Sequence, residues 1–115
     1  MKEPNEYEAL ENVPQKKYLD AGFRAASDYF RTETFLYKRF IKLIVLIDPY
    51  EPNMSIEVCN KDGNVYTPFY NPDLRHNNMV YKDVIKSYHE FMNKLVKKRI
   101  IRHKENDRKH GNRNN

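Results

Sequence analysis

The residues best suited to chemistry are the lysines and arginines that crowd the end of the chain. Residues 97–115 contain eight Lys and Arg side chains against two acidic ones, whereas the first 96 residues hold thirteen basic and fourteen acidic side chains. Cations of this kind neutralise nucleic-acid phosphates and gain free energy from the counterions that they release. The sequence therefore predicts phosphate contacts from nine residues: Lys86, Lys94, Lys97, Lys98, Arg99, Arg102, Lys104, Arg108 and Lys109.

Two features favour binding over a purely solubilising role for these charges. The cations continue along the outer face of the preceding predicted helix, and the chain end is also rich in Asn, whose amide hydrogen-bonds phosphate and base edges. The alternative is that Lys and Arg at a helix end only solubilise the terminus and complement the helix dipole.

A second candidate interface consists of aromatic residues that follow turn-forming segments. Tyr50, Tyr66, Phe69 and Tyr70 lie in regions rich in Pro and Asn. Exposed rings there would stack on unpaired bases or anchor a protein partner. The alternative is that most of these rings pack in the core or cover loops.

No residue pattern in the chain predicts catalysis, a cofactor or a metal site. His89-Glu90 lacks the second histidine of a zinc-protease helix, because position 93 is Asn. Three glycines in the whole chain do not make a phosphate-binding loop. Cys59 has no neighbouring His or Lys to lower its pKa, which favours a structural role. We therefore expect a protein that is not an enzyme.

The cysteine content and the apolar runs bear on the cellular compartment. Cys59 is the single cysteine, so no intramolecular disulfide can form, which favours a reducing environment. The longest apolar run, residues 43–47, is too short to cross a bilayer, and the first residues do not resemble a signal peptide. The sequence predicts a soluble, intracellular, cytoplasmic protein with no membrane partner.

Hydrophobic periodicity predicts the elements that must position these side chains. Apolar spacing indicates a helix over 15–31, and residues 35–47 have the pattern of a central strand that is apolar on both faces. The alternative is that the first half of 35–47 extends the helix. Strict alternation over 54–59, a turn ending at Gly63 and a return strand over 64–70 indicate a hairpin. Asn77 or Asn78 caps a long amphipathic helix from about Met79.

Together these elements predict a single α+β domain: a helix, a three-stranded antiparallel β-meander and a long amphipathic C-terminal helix, with flexible termini. Its expected boundaries are an acidic lead-in segment over 1–14, the folded domain over 15–101 and a basic tail rich in Asn, Arg and Lys over 102–115. One interpretation leaves the acidic lead-in solvated. In the other, it lies against residues 97–109 and competes with an anionic partner.

The leading functional hypothesis is a small non-enzymatic binding protein that contacts nucleic acid or a ribonucleoprotein through its basic C-terminal helix end and tail. The alternative is a protein-directed inhibitor or adaptor of a larger enzyme, as phages and mobile elements encode, whose target presents an acidic or nucleic-acid-binding surface. A third hypothesis is a minor nuclease that uses His103 or His110.

Overall fold

A four-stranded antiparallel sheet with one long helix against it forms the centre of the protein. The computed structural model describes residues 6–51 and 53–104. In chain order, the elements are β1 (Tyr7–Ala9), α1 (Gln15–Asp20), β2 (Arg24–Ala26), β3 (Tyr29–Tyr37), β4 (Ile41–Asp48), β5 (Asn53–Asn60), α2 (Met79–Lys97) and β6 (Ile101–His103), with short 3₁₀ turns at Thr67–Phe69 and Pro72–Leu74. The large sheet has the order β2-β3-β4-β5, and β1 pairs with β6 in a separate two-stranded sheet.

The predicted α+β class agrees with this structure, but the predicted order of helix, three-stranded meander and helix is wrong. The described part of the chain begins with a strand, the large sheet has four strands, and α1 is a helix of only six residues. Gly22, with φ of 95°, follows the end of α1, and Ser27, with φ of 60°, turns the chain between β2 and β3. The apolar spacing over 15–31 therefore serves a short helix and a hairpin.

The predicted strand over 35–47 is interrupted by a tight turn. Lys38 has φ of 50°, and the Phe40 amide donates to the Tyr37 carbonyl over 3.0 Å. This turn ends β3 and begins β4, whose register runs from Phe30 opposite Ile47 to Tyr37 opposite Ile41, with an irregularity at Leu36. Lys38 and Arg39 are not typical turn formers, which is why the sequence pattern did not reveal the break.

The two faces of the sheet differ in what covers them. On the inner face, α2 packs its buried side chains against those of the strands, and one core results. The inward residues are Ile41, Leu43, Val45 and Ile47 from β4 and Val84, Tyr88, Met92 and Leu95 from α2. On the outer face, β4 presents Lys42, Ile44, Leu46 and Asp48, of which Ile44 is buried and the other three are half-buried.

The predicted return strand over 64–70 is also wrong. Val65 makes a single bridge to Cys59, and the chain then enters 3₁₀ turns, because Pro68 has no amide to donate to a ladder. The segment still closes the free edge of β5. The Tyr66 amide donates to the Val58 carbonyl over 2.9 Å, and the Val58 amide donates to the Tyr70 hydroxyl over 3.1 Å.

The final helix begins where the sequence predicts. The Asn78 side chain accepts a hydrogen bond from the Tyr81 amide over 2.9 Å, which is an N-cap. Helix α2 ends at Lys97, and the chain then forms β6. Among the described residues, no helix is long and apolar enough to cross a membrane.

The pairing of β1 with β6 joins the two ends of the described chain. Tyr7, Glu8 and Ala9 lie opposite His103, Arg102 and Ile101. The Lys104 amide also donates to the Glu6 carbonyl over 2.7 Å. Part of the acidic lead-in therefore lies against part of the basic segment, in a folded strand pair.

Candidate nucleic-acid interface

A Schellman motif fixes the start of the basic segment to the core. The Arg99 amide donates to the Val96 carbonyl over 2.9 Å, and the Ile100 amide donates to the Leu95 carbonyl over 3.1 Å. Both Leu95 and Ile100 are fully buried, which supplies the apolar contact that accompanies this motif. The backbone that carries Lys97, Lys98 and Arg99 is thus held in one conformation.

Arg99 occupies the left-handed position of this motif, with φ of 62°, where glycine is the usual residue. We expect Arg99→Gly to raise the free energy of unfolding by about 0.5–1 kcal/mol, because a left-handed conformation costs an L-residue more than the added chain entropy costs glycine. Urea unfolding followed by circular dichroism measures this difference. The matched change Lys98→Gly, at φ of −83°, should destabilise the protein instead; equal effects of the two changes would contradict the argument.

Six cations are exposed on this ordered backbone. They fall within residues 94–104, a stretch without an acidic side chain, and we call them the C-terminal basic surface: Lys94, Lys97, Lys98, Arg99, Arg102 and Lys104. Lys86 is also exposed on α2, two turns before Lys94, with Glu90 between them. Arg108 and Lys109 lie outside the described residues. The structure thus brings together six of the nine residues predicted to contact phosphate.

One cation of this surface has an acidic partner. Arg102 Nε lies 2.5 Å from Glu8 Oε2 across the β1–β6 pair, and 59% of the Arg102 side chain is exposed. No ion pair joins the other five cations to an acidic side chain of the described residues. Because an exposed ion pair contributes less than about 1 kcal/mol, a phosphate can compete with Glu8 for Arg102. Glu8 is a residue that the sequence interpretation did not single out, although the acidic lead-in pointed to its segment.

Tyr7 lies beneath this surface and contacts two histidines. Its hydroxyl is 2.7 Å from His89 Nδ1, and its ring centroid is 4.9 Å from that of His103. Burial raises the pKa of the Tyr7 hydroxyl, and Glu6 adds to the rise, so the hydroxyl stays protonated at neutral pH. His103 therefore has a packing partner, while His110, the other candidate for a nuclease role, lies outside the described residues.

The four predicted interface aromatics do not form one surface. Tyr50 is 85% exposed in the loop between β4 and β5, whereas Phe69 is fully buried, with its ring 5.1 Å from that of Tyr88. Tyr66 and Tyr70 are half-buried beside β5. Burial raises the pKa of Tyr66, with a smaller contribution from Tyr81. Packing against β5 and the core, the alternative named above, describes three of the four rings.

No group of side chains in residues 6–51 and 53–104 has the composition and spacing of a metal site. A cleft of about 500 Å³ lies beside Arg102 of the C-terminal basic surface and is otherwise lined by residues 8–12. A smaller cleft, of about 360 Å³, lies between the β2–β3 turn and the β4–β5 loop, with Ser27, Asp28, Tyr29 and Tyr50 among its lining residues. It is not at the C-terminal basic surface.

Comparison with known proteins places the fold and goes no further. No family model matches the chain, and no curated protein matches it. A crystal structure of a DUF1831 family protein from Lactobacillus plantarum superposes with a TM-score of 0.65, at 14% sequence identity, over 84% of each chain. At that identity the similarity concerns the fold alone. The protein therefore shares the fold of that bacterial protein: an α+β domain with a four-stranded antiparallel sheet and one main C-terminal helix.

Proposed function

We propose that this protein binds nucleic acid through the C-terminal basic surface and is not an enzyme. The observation that carries the proposal is the set of six exposed cations within eleven consecutive residues, five of them without an acidic partner among the described residues. The buried, single Cys59 fits a reducing intracellular compartment such as the cytoplasm. The nucleic acid is bound either alone or within a ribonucleoprotein.

The dipole of helix α2 opposes phosphate binding at this surface. The C-terminus of α2 carries the negative end of the helix dipole, equivalent to roughly half an elementary charge, which repels phosphate. Lys94, Lys97 and Lys98 lie within or directly after the last turn and outweigh this charge several times over. The net field at the helix end therefore remains attractive to phosphate.

The arrangement predicts contacts with the backbone of the nucleic acid and no sequence preference. Long Lys and Arg side chains on a convex helix end reach phosphates, whereas reading bases requires groups that enter a groove or hold a splayed base. The main free-energy gain would come from released counterions, so the affinity should fall steeply with salt.

The test replaces charges without removing any backbone. In the variant Lys97→Gln, Lys98→Gln, Lys104→Gln, we expect binding to labelled 20-mer duplex DNA, single-stranded DNA and RNA at 50 mM KCl to weaken at least tenfold. The slope of log affinity against log salt should become shallower by about 0.7–0.9 for every phosphate that the variant no longer neutralises. Fluorescence anisotropy from 50 to 200 mM KCl measures both quantities.

A control variant removes the same net charge elsewhere: Lys16→Gln, Lys17→Gln, Lys82→Gln, all exposed residues. It should keep the wild-type slope and nearly all of the affinity. Equal losses in the two triple variants would overturn the proposal, because the binding would then follow net charge only. Absence of binding by the unaltered protein would also overturn it and would favour the protein-directed inhibitor or adaptor.

A further inference from the structure

Two phenylalanines of the β3–β4 hairpin are exposed. Phe35 on β3 is 54% exposed and Phe40 in the β3–β4 turn is 48% exposed. Phe23, Phe30 and Phe69 are all buried in the core. The two exposed rings therefore mark a place where apolar area is left in water, although the fold has a core available.

The β3–β4 hairpin carries both rings. Phe35 lies opposite Lys42, which lies opposite Cys59. Phe40 lies in the turn of the hairpin, two positions before Lys42. Lys42 is thus the strand partner of Phe35 and a near neighbour of Phe40 along the chain.

Cations lie in the segments that adjoin these rings. Lys61, in the turn after β5, has Nζ 5.5 Å from the centroid of Phe40, and Lys38 has Nζ 5.4 Å from the centroid of Tyr37. Arg39, which follows Lys38 in the turn, is also exposed. These distances are those of cation–π contacts, which hold an ammonium group beside a ring face.

Acidic side chains reduce this positive charge only in part. Lys42 Nζ is 3.4 Å from Glu33 Oε1, and Glu33 also pairs with Arg31. Burial acts to raise the pKa of Glu33, but the two cations outweigh it and lower the pKa, so Glu33 stays ionised and offsets one charge. Lys38, Arg39 and Lys61 have no ion pair within the described part of the chain.

Exposed rings beside cations that lack an ion-pair partner among the described residues favour one class of ligand, single-stranded nucleic acid. A base stacks on an aromatic ring only when it is unpaired, while the adjoining cations hold the phosphates on either side. We infer that Phe35 and Phe40, with Lys38, Arg39, Lys42 and Lys61, form a stacking surface for single-stranded nucleic acid on the outer face of the sheet. We call these six residues the outer aromatic surface.

This surface is separate from the C-terminal basic surface. The helix that carries Lys94 and Lys97 packs on the inner face of the sheet, whereas Phe35 lies on the outer face, opposite Lys42. The inference shares with the proposed function only its ligand class, because the outer aromatic surface has rings and cations of its own. It adds a preference for single strands that the C-terminal basic surface does not provide.

The first test compares Phe35→Ala, Phe40→Ala with the wild-type protein on a 20-mer of deoxythymidine and on a 20-base-pair duplex. We expect affinity for the single strand to fall about tenfold or more, since removal of one stacked ring weakens binding by roughly five- to a hundredfold, while duplex affinity stays within twofold. The control Leu19→Ala, Met79→Ala removes two other exposed apolar side chains and should change neither affinity. An equal loss on both probes, or no loss on the single strand, would overturn the inference.

A second measurement detects stacking directly. The chain has no Trp, so a single introduced indole reports on its own position. Titration of the deoxythymidine 20-mer should quench the emission of Phe35→Trp and Phe40→Trp and leave that of Leu19→Trp unchanged. Quenching of all three variants to the same extent, or of none, would overturn the inference.

The two surfaces can fail independently in these experiments. If the glutamine variant at Lys97, Lys98 and Lys104 binds normally while the alanine pair loses single-strand binding, the proposed function fails and the outer aromatic surface stands. If the glutamine variant loses affinity for both probes and the alanine pair loses none, the outer aromatic surface fails and the proposed function stands.

Discussion

Truncation of the chain after Val96 is expected to unfold the domain. It removes Ile100 and Ile101, both fully buried, together with the strand that pairs with β1. Each buried isoleucine reduced to alanine costs about 2–5 kcal/mol, and complete removal costs at least as much. A domain of this size has only about 5–15 kcal/mol of stability to lose.

The matched truncation ends after Lys104 and keeps every described element and its packing. Far-UV circular dichroism and urea unfolding should show a cooperative transition for the chain ending at Lys104 and none for the chain ending at Val96. A cooperative transition of similar midpoint in both would contradict the role assigned to Ile100 and Ile101.

This expectation decides how the charge of the basic segment has to be tested. Deletion of residues 97–115 would confound loss of cations with loss of Ile100 and Ile101, so a weakened interaction would carry no information on phosphate binding. Replacement of Lys by Gln shortens the aliphatic stem by two methylenes but removes the charge and leaves Ile100, Ile101 and the backbone in place.

The sequence predicted those elements whose signals are local. Helix α2 has apolar residues at i, i+3, i+4 and i+7 and an asparagine at its N-cap, and the structure begins it at Met79. Strand β5 alternates strictly between Met54 and Cys59, and the structure has Asn53–Asn60. In both, the hydrophobic period and the terminal residues point to the same conformation.

The missed elements depend on partners far along the chain or on unusual backbone angles. The helical spacing of Tyr18 and Phe30 predicted one helix. In the structure Tyr18 is in α1 and Phe30 is in β3, and their stacked rings have centroids 4.5 Å apart. Ser27, Lys38 and Arg99 all have positive φ, a conformation that is uncommon for such residues and gives no composition signal. Tertiary packing overrides local propensity at these turns.

Some residues of the candidate sites could be predicted from the sequence, and others could not. The cations at Lys97, Lys98 and Arg99 could be read from charge counts, because charge does not depend on the fold. The exposure of Phe35 could not, because residues 35–47 are apolar on both faces and only the register shows which face the helix covers. The ion pair of Glu8 with Arg102 joins residues 94 positions apart, so no local pattern indicated it.

Replacement of Tyr7 by alanine is the second change for which we expect a large effect. Tyr7 is the anchor of β1: its buried ring meets Tyr88 edge-on at 6.0 Å and tilts against His103 at 4.9 Å. Loss of a buried aromatic ring costs about 3–5 kcal/mol. Apart from Tyr7, β1 is held by strand hydrogen bonds, the small buried Ala9, its contacts with β5 and one exposed ion pair, so this loss should free β1 from β6.

The conservative variant Tyr7→Phe keeps the ring and removes only the hydroxyl that meets His89 Nδ1 at 2.7 Å. We expect it to cost about 0.5–1.5 kcal/mol, the net contribution of one hydrogen bond. Urea unfolding gives both values, and amide hydrogen exchange at Ile101 and His103 reports on the β1–β6 pair itself. Fast exchange at these amides in Tyr7→Ala, with protection kept in Tyr7→Phe, would show that the ring holds the acidic segment in place. Equal protection in both variants would mean that main-chain hydrogen bonds alone hold β1 against β6. Glu8 would then stay beside Arg102 even without the buried Tyr7 ring.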